Sequence, residues 1–297
     1  MVDNDRLFRF IIENTHVRGE MVHLDASWQA VLQRADYPPS VRTILGEALA
    51  ACALLSATIK YEGSLILQIR GDGPLHLLVV QASADNTLRG IARWHDDVPA
   101  SGLKNIFGNG QLVITIEPPK NKTGAESYQG IVALDGDKLG HAIENYFRQS
   151  EQLNTRLWLA ADAQTCGGFL LQELPGAIPD SDAWPRATQL ADTLTTDEIL
   201  HLPATDVLHR LFHEENVRLF DSEPFSFRCQ CSRERIEAIL LSMGADESHK
   251  ILQEQGHIAI DCEFCNAHYE YDAVDVDALF TGQPGLDSSS SSSSTRH

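Results

Sequence analysis

Four cysteines near the C-terminal end constrain this chain more than any other feature: Cys229-Gln230-Cys231, thirty intervening residues, then Cys262-Glu263-Phe264-Cys265. Each close pair can offer two thiolates from one tight turn, and the segment between is short enough to fold locally. That is what a closed tetrahedral Zn²⁺ site needs, the alternatives being paired disulfides or unrelated core thiols. With four sulfur ligands no position stays open for water, so the expected role is structural or redox rather than hydrolytic. The unit around the cysteines, about 225 to 272, has few large apolar side chains. Metal binding, worth about 10–16 kcal/mol in small zinc peptides, should supply most of its folding free energy. Removing the metal should unfold it.

The rest of the chain has room for a larger core. At 297 residues and 43% apolar content it accommodates a main domain plus a smaller unit. Residues 1–175 read as an α+β domain. Arg6–Asn14 and Val17–Asp25 suggest a β-hairpin, and Pro38-Pro39-Ser40 opens a long helix to about Lys60. Seven further β-prone runs follow, Leu65–Arg70 through Gly168–Glu173, interrupted by a helix at about Lys138–Ser150. That strand density predicts a mostly antiparallel sheet covered by helices.

Residues 176–228 carry ten acids, four Lys/Arg and apolar residues at helical spacing, and read as a helical connector. Thr195 with Glu198 forms a capping-box signature, and Thr205 is placed to cap a further helix with Val207, Leu208, Leu211 and Phe212 inside. Helices this short must borrow stability from a larger surface. The cysteine unit, 229–280, is expected to hold helices Ser232–Met243 and Asp246–Gln255, with hairpin strands His257–Asp261 and Asn266–Asp272 around the second pair. Residues 281–297 contain the serine run Ser288–Ser294 and read as a disordered tail.

Charge and motifs exclude several functions. Lys+Arg 23 against Asp+Glu 42 gives a net −19, which repels phosphate backbones and anionic membranes. No secretory signal is visible, and the apolar run Ala48–Ile59 is too short to span a bilayer. A reducing, cytoplasmic setting follows, where clustered cysteines hold metal or sense redox state. Gly71-Asp72-Gly73-Pro74 and Gly108-Asn109-Gly110 read as hairpin turns, since neither continues into a phosphate loop. No GxSxG elbow is present, and no conventional active site emerges. Cys52 and Cys166 read as inert thiols and His209 with His213 as a solvated helix edge. His257 and His268 take surroundings rather than ligand roles, since four thiolates already complete the shell.

The chemistry of a four-thiolate site leaves two readings open. Zinc keeps the sulfurs as thiolates while damping their reactivity. A strong oxidant converts neighbouring thiolates to sulfenic acid and then disulfide, which no longer holds the ion. A plain structural knuckle and a redox switch are both compatible with that.

Set beside the remainder of the chain, the cysteine pattern resembles the heat-shock protein 33 family of redox-regulated chaperones. The resemblance runs through Arg9–Asn14, Val17–Glu20, Gly71–Pro74, Tyr128–Gly130 and Tyr146–Gln152, then Gly167-Gly168, His213–Glu215, Cys229–Arg235 and Cys262–Cys265. It implies an ATP-independent holdase, a non-enzyme that is inactive with Zn²⁺ on Cys229, Cys231, Cys262 and Cys265 and activated by oxidative stress, often with heat. It further implies disulfides Cys229–Cys231 and Cys262–Cys265 in the oxidised form, unfolding of the connector, binding of unfolded clients and an active homodimer. A bridge between cysteines one residue apart is strained and easily reduced, which suits a reversible switch. Two competing hypotheses remain. A thiol–disulfide oxidoreductase acting through Cys262–Cys265 would need a strand–CxxC–helix setting. A zinc-ribbon nucleic-acid module is opposed by the net charge.

Overall fold

The computed structural model describes residues 4–59, 61–100, 102–119, 126–134, 136–176 and 180–281. The expected serine tail lies outside these residues. The chain divides into two compact units, Met1–Cys229 and Gln230–His297.

The first unit begins with β1 (Arg6–Ile12) and β2 (Val17–Leu24), followed by α1 (Ala26–Leu32), α2 (Pro39–Thr58), β3 (Ser64–Arg70), β4 (Leu75–Ser83) and β5 (Thr87–Trp94). Next come α3 (Leu103–Phe107), β6 (Gln111–Glu117), β7 (Tyr128–Ala133), and α4 (Leu139–Tyr146), which runs into a π-helical turn at Phe147–Glu151. β8 (Thr155–Ala161), β9 (Cys166–Glu173), α5 (Ala183–Ala191), α6 (Thr196–His201), α7 (Ala204–Phe212), β10 (Val217–Leu219), β11 (Glu223–Pro224) and β12 (Ser226–Phe227) complete it.

The strands form two sheets, in the orders β10-β1-β2-β9-β8 (β11 also pairing with β1) and β12-β5-β4-β3-β6-β7. All pairs are antiparallel except β12 with β5. The expected α+β class holds, with one refinement: α2 packs against strands of both sheets. Its sequence explains why. Pro39 starts it, where a missing N–H costs nothing, and twelve of its residues are buried on nearly every side. By length and composition α2 could cross a bilayer, but 67% of that span is buried inside the protein, as in a core helix.

The first sheet is apolar on both faces. Along β9 every residue from Cys166 to Gln172 is buried. Leu170 joins the core around α2, while its neighbours Phe169 and Leu171 face the opposite side. Alternation puts Phe10, Val17 and Met21 on that second face too. A second cover is therefore required, and α5, α6 and α7 supply it with Ala187, Ala191, Ile199, Val207, Leu211 and Phe212.

The sequence reading needs three corrections here. Thr205 is not a cap, because Pro203 holds that position and α7 starts at Ala204. Between 217 and 227 the chain forms three short strands, Val217–Leu219, Glu223–Pro224 and Ser226–Phe227, rather than helix, because the edges of β1 and β5 offer backbone partners that a local pattern does not reveal. Helices α1 and α3 were also unforeseen, being only seven and five residues long.

The second unit contains α8 (Arg233–Met243), α9 (Ala245–Gln255), the hairpin β13 (Ile258–Asp261) with β14 (His268–Tyr271), and α10 (Ala273–Thr281). Its buried core is Ile236, Leu240, Ile258, Tyr271 and Val276. Arg233 lies over the Tyr271 ring at 4.3 Å. Five apolar side chains are a thin core for independent folding.

Candidate metal centre and its connector

Each cysteine pair sits where the backbone turns. Cys229 follows β12, whose continuation is pinned by Arg228 N–H donating to the Leu88 carbonyl at 3.0 Å. Cys231 immediately precedes Ser232, which caps α8 by accepting from Arg235 N–H at 3.3 Å. Cys262 directly follows β13, and its carbonyl accepts from the N–H groups of Cys265 (3.2 Å) and Asn266 (2.7 Å). Asn266 takes a left-handed backbone, φ +59°, which asparagine tolerates, and the turn then closes through Cys262 N–H on the Ala267 carbonyl at 2.9 Å.

The four Sγ atoms all lie within 4.8 Å of one another, and Cys231 is 3.2 Å from Cys265. A tetrahedral zinc tetrathiolate has sulfurs about 3.8 Å apart, from a Zn–S length of about 2.3 Å. The donors therefore fit one soft metal ion without a change of fold. All four cysteines are partly exposed, so oxidants and chelators can reach them.

The remaining candidates fall elsewhere. Cys52 and Cys166 are fully buried; loss of hydration pushes the Cys52 thiol up to about 12 and Cys166 well above its usual value. Both are protonated and unreactive at neutral pH. The His209 and His213 rings meet edge-on at 6.1 Å at the C-terminal end of α7, outside the cysteine cluster. His257 is exposed, and His268 pairs with Asp261 at 2.7 Å. Gly71–Pro74 joins β3 to β4 as a hairpin turn, whereas Gly108–Gly110 joins α3 to β6 rather than two strands, contrary to expectation; the two segments clasp each other, Asp72 accepting from Asn109 N–H at 2.7 Å. The Cys262–Cys265 turn joins two strands rather than opening a helix, which removes the local support for an oxidoreductase.

Two side chains that the sequence did not single out touch the sulfurs. Tyr269 O–H donates to Cys231 Sγ at 3.2 Å, and an Arg89 N–H lies 3.9 Å from Cys229 Sγ. The hydrogen bond to Cys231, together with the neighbouring sulfurs, pushes the Tyr269 phenol above its ordinary value. No spacing rule marks either residue.

The helices of the connector are held mainly by side chains, while its short strands β10, β11 and β12 pair through the backbone with β1 and β5. Phe212 stacks against Phe169 (6.5 Å) and lies 6.1 Å from Phe10, whose ring crosses Gly19 on the adjacent strand. A Cβ on Gly19 would come within 2.1 Å of that ring. Thr195 and Glu198 form the expected capping box, with Thr195 N–H donating to Glu198 at 2.9 Å. Asp192 receives Arg156 at 2.7 Å and the Trp158 indole at 3.2 Å. Arg186 pairs with Asp180, Asp182 and Glu215 at 2.7–3.2 Å. Exposed ion pairs of this kind contribute at most about 1 kcal/mol each, so apolar contact with the sheet dominates.

Fold and site together define a two-unit α+β protein with a C-terminal tetrathiol metal-site candidate. A family model described as Hsp33 protein matches residues 5–272. The chain is 54% identical over 283 residues to a 33 kDa chaperonin of Nitrosococcus oceani, covering 95% of this chain and 96% of that one. It is 45% identical over 281 residues to a 33 kDa chaperonin of Chromobacterium violaceum, covering 94% and 95%. Among solved structures, a 33 kDa chaperonin (heat shock protein 33 homolog) of Thermotoga maritima superposes with TM-score 0.81 at 20% identity, over 93% of this chain and 98% of that one, a likeness of fold. The chain belongs to the Hsp33 family. Its coarse function is that of an Hsp33-type chaperone, and its relatives carry the name of a chaperonin rather than of an enzyme.

Proposed function

We propose that this chain is a redox-regulated, ATP-independent holdase. In the reduced protein Cys229, Cys231, Cys262 and Cys265 hold one Zn²⁺, which supplies cross-links that the thin core of the second unit lacks. Oxidation removes the donors. Each thiolate pair, Cys229–Cys231 and Cys262–Cys265, gives two electrons to one peroxide, which takes two protons from solvent and leaves as two waters while one S–S bond forms. A disulfide sulfur no longer holds the ion, and the second unit loses its brace.

The connector, 176–228, then lets go of residues 1–175 and exposes Phe10, Met21, Phe169 and Leu171 to unfolding client proteins. One observation carries this reading: a large apolar sheet face whose only cover among the described residues is three helices of six to nine residues. Isolated helices of that length do not hold together in water, so the cover persists only while docked. Exposed apolar surface of this extent binds other apolar chains. The active form is a homodimer in the cytoplasm, and the net charge of −19 argues against nucleic acid or anionic membranes as partners.

The test combines peroxide with mild heating of zinc-loaded protein, following released zinc, remaining thiols and aggregation of a heat-denatured client without ATP. Zinc release, loss of four thiols and suppression of aggregation should appear together. Equal suppression by the reduced, zinc-loaded protein would remove the gating.

A further inference from the structure

Tyr269 and Tyr271 stand two residues apart on β14 and so point to the same side of the hairpin. They use their hydroxyls differently. Tyr271 is fully buried and donates to the Arg233 carbonyl at 3.1 Å, the usual way for a core tyrosine to satisfy its O–H. Tyr269 packs at the margin of the same core, yet its hydroxyl lies 3.2 Å from Cys231 Sγ. Packing alone would be served by phenylalanine there.

The contact has a clear direction. A phenol carries one proton to give, and a ligating thiolate can only accept. Tyr269 pairs with Ile260 on the hairpin that carries the Cys262–Cys265 turn, so its O–H draws the sulfur of the first cysteine pair toward the second. Cys231 accordingly lies 3.2 Å from Cys265. At Cys229 a comparable donor is Arg89 on β5, whose guanidinium is oriented by its Nε–H donating to Gln81 Oε1 at 2.8 Å and whose Nη1 is 3.9 Å from the sulfur. Both sulfurs of the Cys-x-Cys pair thus face a donor from outside the cysteine set.

We propose that Tyr269 is a positioning residue for the Cys231 thiolate, with Arg89 acting likewise at Cys229. Their donors hold the first pair in ligating position and draw charge from its sulfurs. Metal leaves more slowly and oxidants find a weaker nucleophile. Partners behind metal ligands commonly change metal affinity about 10- to 100-fold. This proposal rests on the reading of the four thiols as a zinc site.

The experiment compares full-length wild type with Tyr269→Phe, Arg89→Gln and, as the packing control, Tyr271→Phe. Zinc-loaded protein is mixed with a chromogenic chelator and the transfer rate is read. Cobalt-loaded protein is examined for its thiolate-to-metal charge-transfer band. Tyr269→Phe should release zinc about tenfold or more faster, and its cobalt band should move to lower energy because sulfur electrons are held less tightly. Tyr271→Phe should leave the band in place even where it loosens the unit. Wild-type release and an unmoved band in Tyr269→Phe would overturn the proposal. If wild type gave no four-thiolate cobalt spectrum, the zinc reading itself would fall, and this assignment with it.

Discussion

Replacing Phe212 with alanine tests the link between the connector and the sheet most directly. Phe212 is 2% exposed and sits on α7 against the stacked rings of Phe10 and Phe169, both on the opposing sheet. Removing a buried phenylalanine costs about 3–5 kcal/mol, from lost transfer energy plus the cavity left behind. These contacts exist only while α7 is docked, so the loss falls on the docking equilibrium. At about 1.4 kcal/mol per decade, the undocked population should rise by roughly two to three and a half decades. The core around α2 lies on the other face of the sheet and keeps its contacts. Hydrogen exchange read by mass spectrometry on the reduced, metal-loaded protein is the assay. Amides of α5, α6 and α7 should exchange faster by that factor, while β3, β4 and β6 keep their protection. The same protein should suppress client aggregation without oxidant. Unchanged protection across residues 204–212 would refute the reasoning. Equal acceleration in β3–β6 would refute it too, because connector and core would then open as one block.

Three further outcomes follow from the same structure. Burial pushes the Glu20 carboxyl from its ordinary 4.5 up to about 7, against the opposing hydrogen bond from Thr58 and the charge of Arg18. Its contribution is fully present below pH 4.5 and lost as pH rises through 7. Glu20→Gln should therefore remove a stability decline of about 3 kcal/mol between those values, measured by denaturant unfolding at pH 5 and pH 8; an identical slope in both proteins would count against it. Thr195→Ala deletes the capping box of α6 and should cost about 1 kcal/mol, read as faster exchange confined to residues 196–201. Stripping the metal with a chelator under reducing conditions should abolish the near-ultraviolet circular dichroism of Tyr269 and Tyr271, while unit 1 keeps a cooperative thermal transition; retention of the tyrosine signal would show that the second unit folds without metal.

The metal-site candidate was legible in the sequence because its ligands come in two local pairs. A Cys-x-Cys and a Cys-x-x-Cys turn each preorganise two sulfurs, so spacing alone marks them. Strands β3 to β9 were equally legible, since short β-branched runs bounded by turn residues are local signals. The capping box at Thr195 was read correctly for the same reason. The Phe10–Phe169–Phe212 stack was not, because its members are separated by 159 and 43 residues (169 − 10 and 212 − 169) and come together only when β1 and β9 join one sheet through β2 and α7 docks on it. Strands β10 to β12 were missed because they are two or three residues long and owe their extended form to partners on β1 and β5.

What the sequence determined by itself was local chemistry: where thiolates pair, where helices begin, where chain direction reverses. Tertiary structure alone decided that α2 lies between two sheets, that Arg89 and Tyr269 reach sulfurs, and which sheet face the connector helices, already expected to lean on a larger surface, cover. The physical reason is range. Backbone propensity and ligand spacing act over a few residues, whereas burial depends on which distant surfaces meet and exclude water together.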